Sequence, residues 1–167
     1  MVVILAVVVS ACAKGAAPSS TATVPSSTTV ATPSTTDALP ELAGFATITV
    51  AVDGDELEVA LADRPDLRRR GLMGVTDLGG LDGMLFVFGE DVDGGFWMKD
   101  TVIPLDIAFF DAEGRVVDWL TMDPCLADPC PTYTPGGSYR YALETPAGSA
   151  PTIGPGSVMD VSVFDAE

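Results

Sequence analysis

From residue 45 onward the chain runs in short apolar alternations separated by turn residues, with no long stripe of helical period. Residues 45–52 alternate apolar with small or polar side chains, Asp53-Gly54 has the signature of a hairpin turn, and residues 57–61 alternate again. Together they predict an opening strand pair. Asp63 stands where a cap precedes a short helix over residues 65–70, with Pro65 in its first turn and Gly71 at its C-terminal cap. Further strands are predicted at 84–88, 95–99, 105–110, 115–122, 139–144 and 158–164, and the turn at 111–114 joins two of them as a hairpin. The sum is a mainly β fold, a single antiparallel sandwich or jelly-roll-like barrel of about eight strands with one short helix.

What precedes this domain has a different composition. Residues 2–9 are an unbroken apolar run ending in Val9-Ser10-Ala11-Cys12. The run is too short to span a bilayer and resembles the cleavage box of bacterial lipoproteins. On that reading residues 1–11 are a lipoprotein signal segment, and Cys12 becomes an acylated N-terminus holding the protein on a membrane. Residues 13–40 are rich in Ser, Thr, Ala and Pro and carry too few large apolar groups to offset backbone ordering. With Cys12 they form a disordered linker over 12–40, whose span as a flexible coil is on the order of 28 Å. The β domain occupies 41–167.

Charge narrows the partners. Eight Lys and Arg against 24 Asp and Glu give a formal charge of −16, which repels nucleic-acid phosphates, so no nucleic-acid partner is expected. Histidine is absent, which excludes imidazole triads and ordinary nitrogen-ligand zinc or copper sites. No metal site or cofactor is expected: Met73, Met84 and Met98 have core-type neighbours, and Asp91-Val92-Asp93-Gly94 lacks the remaining ligands of a calcium loop. In an exported protein the nearby pair Cys125 and Cys130 is most economically a disulfide, pinning a proline-rich loop by about 2 kcal/mol.

Chemistry concentrates between residues 96 and 106, where Trp97, Lys99, Asp100, Thr101 and Asp106 fall within one short stretch. In an extended segment Trp97 and Lys99 share a side. Arg70, at the end of the sole basic run Arg68-Arg69-Arg70, and Glu144 join these as candidate ligand-binding residues. They describe a polar cleft in which Trp97 offers an apolar face and the charged groups orient a ligand. Asp106 and Glu144 are also the two carboxylates that a hydrolase acting on an envelope glycan or peptide would need.

Residues 70–73, 83–88, 96–101, 103–107 and 141–144 follow one another in an order that resembles the bacterial family catalogued as domain of unknown function 192, over about residues 45–163. Asp100 stands where that family's pattern carries Asn. The resemblance implies a fold and no mechanism. The whole reads as an exported, lipid-anchored protein of the cell envelope, a binding or accessory module for a glycan, peptide or protein ligand. A carboxylate hydrolase is the alternative.

Overall fold

The computed structural model describes residues 34–35, 40–149 and 153–164. The expected signal segment, Cys12 and almost all of the expected linker lie outside the described residues. Among the described residues nine strands form two sheets: β1 (Ser34–Thr35), β2 (Ala46–Val52), β3 (Asp55–Ala62), β4 (Gly83–Val92), β5 (Phe96–Trp97), β6 (Leu105–Phe110), β7 (Val116–Met122), β8 (Thr132–Tyr133) and β9 (Tyr139–Pro146). One helix, α1, spans Pro65–Arg70. The larger sheet runs β1-β2-β3-β4-β9-β6-β7, and β5 pairs with β8 in a small ribbon. All pairs are antiparallel except β3 with β4, which are parallel and joined by the long crossover that carries α1. The mainly β architecture with one short helix is therefore the expected one.

Both predicted hairpins form for the expected reason. Asp53 and Gly54 take φ of 54° and 91°, the pair of positive values that a two-residue turn needs to match the twist of its strands. At 111–114 the Asp111 carboxylate accepts from the Glu113 and Arg115 amides, closing the β6–β7 turn.

Three local expectations are corrected. The N-cap of α1 is Arg64 without a side-chain cap bond, and Asp63 instead offers its carbonyl to the Arg68 guanidinium. The strand expected at 95–99 shortens to β5, because Asp100 takes φ 56° and Lys99 and Thr101 bridge to Cys125 instead of extending the ribbon. No strand runs through 158–164. Val158 and Met159 make single bridges to Arg115 and Val52, then the Asp160 carboxylate accepts from the Ser162 amide and turns the chain into a 3-10 turn, Ser162–Phe164. The apolar alternation there reflects burial with only isolated bridges: Met159 is buried and Phe164 stacks on Tyr141.

The sheet is buried on both faces. One face carries Phe45, Met84, Phe86, Ile107 and Phe109 under α1 and the loop that follows it. The other carries Val50, Leu85, Phe110, Leu143 and Met159 under the C-terminal segment. Central strands covered on both sides read as nearly continuous apolar runs, which is why β4, β6 and β9 are so apolar.

Candidate functional site

The face beneath α1 is not fully closed. Between the end of α1, β4, β5 and β9 lies a cavity of about 810 Å³. Its walls are mainly apolar: Leu72, Met73, Phe86, Phe88, Phe96 and Trp97. Phe86 meets Phe96 edge-on at 4.9 Å between centroids, and Tyr139 packs against Phe88, Phe96 and Phe109. The Tyr139 hydroxyl donates to the Gly94 carbonyl at 2.8 Å, and burial holds its pKa up at about 12, so it is a neutral part of the wall.

Glu144 closes the cavity from below. On β9 it sits opposite Met84 of β4 and Ile107 of β6, so its side chain leaves the sheet on the α1 side. The residue is 5% exposed, its carboxyl has no hydrogen-bond or ion-pair partner among the described residues, and its polar atoms meet the cavity. Burial alone pushes its pKa up to about 8, so at neutral pH the carboxyl is mostly protonated and is a hydrogen-bond donor as well as an acceptor. Thr101, 4% exposed, also lines this cavity, and its hydroxyl has no partner among the described residues.

Three guanidiniums form the lip, and none is neutralised by a carboxylate among the described residues. Arg68 lies over the Phe88 ring at 4.9 Å and donates to the Val87 carbonyl. Arg70 lies over Phe45 at 4.2 Å and donates to the Ala43 carbonyl. Arg69 is exposed, lines the cavity and has no partner among the described residues. Asp93 lines the cavity too.

Of the residues singled out in the sequence, Arg70, Trp97, Thr101 and Glu144 are thus brought to one cavity. Lys99, Asp100 and Asp106 do not line it. Lys99 supports the wall from behind: its ammonium lies 5.4 Å from the Trp97 ring and pairs with Asp128 at 2.7 Å. Asp128 belongs to the loop closed by the Cys125–Cys130 disulfide, and the Cys125 carbonyl accepts from the Asp100 amide. Asp100 serves the turn by its backbone, in a left-handed conformation that Asn and Asp tolerate better than other side chains.

Asp106 accepts from the Thr121 hydroxyl at 2.6 Å and the Gly148 amide at 2.7 Å, fastening β6 to β7 and to the turn after β9. It leaves the sheet on the face opposite Glu144, since it pairs with Thr145 while Glu144 pairs with Ile107. The two-carboxylate arrangement expected of Asp106 and Glu144 is therefore corrected: they cannot flank one bond. The cleft expected to be polar is likewise an apolar cavity with one buried acid.

Sequence reasoning missed Phe86, Phe88 and Tyr139 as site residues, because a cavity wall and a core are written in the same side chains. The alternation of Phe86 and Phe88 on β4 was the available signal, placing both on one face.

A family model described as Uncharacterized ACR, DUF192, matches residues 48–161. A solved structure of a candidate transcription regulator from Sinorhizobium meliloti 1021 is similar at 28% identity and a TM-score of 0.62, covering 71% of this chain and 96% of that one. A protein of unknown function from Novosphingobium aromaticivorans DSM 12444 is similar at 28% identity and a TM-score of 0.64, covering 78% and 94%. No curated protein matches.

Proposed function

Because this chain belongs to the DUF192 family, whose members are described as uncharacterised, we propose its function from the cavity: a binding module of the cell envelope, lipid-anchored through Cys12, that holds a small ligand with an apolar body beneath α1. The observation that carries this reading is a buried, unpartnered carboxyl on the floor of an aromatic-walled cavity. The carboxyl is open only to the cavity and has no protein partner among the described residues, so a ligand that hydrogen-bonds to it supplies the partner the chain does not. The extracytoplasmic location is supported by the Cys125–Cys130 disulfide, a bond that persists in oxidising compartments, and by the leader ending at Cys12.

That one similar structure is described as a transcription regulator does not favour DNA contact here. A formal charge of −16 opposes approach to a polyanion, and the run Arg68-Arg69-Arg70 faces a cavity instead of forming a broad basic surface.

Native mass spectrometry after exposure to an envelope extract tests the reading. The wild-type chain retains a non-covalent adduct of small-molecule mass, and Met73→Trp, which fills the cavity from one wall, loses it. An adduct held equally by both proteins contradicts the assignment. Anchoring is read separately: Cys12→Ala releases the protein from the membrane fraction, and retention of that variant in the pellet contradicts the anchor.

A further inference from the structure

We propose that the ligand of this cavity is an anionic amphiphile, its acidic group paired with Arg69 at the lip and a neutral hydroxyl or carbonyl at its far end hydrogen-bonded to Glu144 and Thr101. This rests on the binding reading above and assigns the chemical class. Three observations fix the two ends and the middle. The lip holds three guanidiniums with no carboxylate partner among the described residues, two of them immobilised on Phe88 and Phe45, and Arg69 is left to meet an incoming anion. Such a lip in a chain of net charge −16 is a local reversal of sign that steers anions and repels cations.

The middle is aromatic and aliphatic, which suits an alkyl or aryl body and offers no compensation to a buried charge. At the floor, Met84 of β4 and Ile107 of β6 flank Glu144, and burial among them raises its pKa. The floor therefore presents an uncharged carboxyl, and Thr101 adds a hydroxyl-bearing residue to the lining of the same cavity. That pair matches a neutral acceptor and donor, and it would leave a second carboxylate unpaired. A ligand ammonium is the competing occupant, since it could ionise Glu144, but it must pass the guanidinium lip and lose its hydration among apolar rings.

Calorimetric titration of the full chain carrying Cys12→Ser, so that no acyl group competes, tests this with matched probes of about eight to twelve carbons, a length suited to a cavity of this size. The probes are ω-hydroxyalkanoates, plain alkanoates, α,ω-diols and alkyltrimethylammonium salts. The ω-hydroxyalkanoate is expected to bind most tightly and the ammonium salt most weakly. Arg69→Gln, an exposed position where folding is not at risk, weakens both acids about fivefold to tenfold and leaves the diol unchanged. Glu144→Leu weakens the hydroxy acid and the diol about tenfold while sparing the plain alkanoate, and Glu144→Gln, which keeps a donor, restores most of the loss. Tightest binding of the ammonium salt overturns the assignment, as does indifference of the acids to Arg69→Gln. If none of the probes binds while the envelope adduct still depends on Met73, the ligand class is wrong and the binding module stands. If that adduct is absent as well, both fall.

Discussion

Asp106 and Glu144 stand one register step apart on neighbouring strands and point to opposite faces of the sheet. Glu144 faces the cavity, and Asp106 ties β6 to the turn at 146–149. Asp106→Asn is accordingly expected to leave ligand capture unchanged and to lower stability by about 1 kcal/mol, through weaker bonds to Thr121 and Gly148. Paired urea melts and binding curves check this; loss of binding at unchanged stability would return Asp106 to the site.

Glu144 gives the fold a characteristic pH dependence. Its carboxyl titrates near 4.5 when unfolded and at about 8 when folded, so between those values the unfolded state has released a proton that the native state retains. The associated stability is fully present below about pH 4.5 and is lost as pH rises through about 8, a change of several kcal/mol. The groups around it do not mask this: Met84 and Ile107 flank it, and the charged groups lining the cavity are Arg68, Arg69, Arg70 and Asp93. Glu144→Gln removes the dependence, so the stability advantage of the variant over wild type grows from pH 5 to pH 9. A difference that stays constant over that range contradicts a buried, protonated carboxyl.

Gly83 holds the floor in place. A Cβ there would lie 2.1 Å from the Glu144 carbonyl oxygen, so Gly83→Ala must push β9 away from β4. The expected loss is about 2–3 kcal/mol in denaturant melts, together with weaker ligand binding, because the displaced strand carries the buried acid. Wild-type stability in Gly83→Ala contradicts this contact.

The disulfide loop bears on the cavity through one chain of contacts, Cys125–Cys130 to Asp128 to Lys99 to Trp97. Cys125→Ser with Cys130→Ser is expected to cost about 2 kcal/mol and to leave Trp97 more exposed. In a Trp119→Phe background the remaining indole emission shifts to the red and ligand affinity falls. An unchanged spectrum would show that the loop does not support the wall.

How much of this was legible in the sequence depended on range. Turns and single strands were readable, since Asp53-Gly54, the 111–114 turn and the helix from Pro65 to Gly71 are governed by local backbone chemistry. The strand expected at 158–164 failed because Asp160 and Ser162 turn the chain by a side-chain bond that outcompetes extension. At the site, Trp97, Thr101, Arg70 and Glu144 stood out as polar or amphipathic residues among strands. Their separation from Asp106 was not readable, because which face a residue occupies depends on the register of β6 against β9, a long-range relation that residue 106 alone does not encode.

Where the ligand sits is measured most directly by amide and methyl chemical-shift mapping of the chain with the envelope-derived adduct bound. Perturbations are expected to concentrate at Leu72, Met73, Phe86, Phe96, Thr101 and Glu144, with the far face around Leu85, Phe110 and Leu143 unmoved. Perturbations centred on that far face, or on the exposed Trp119 of β7, would contradict that placement.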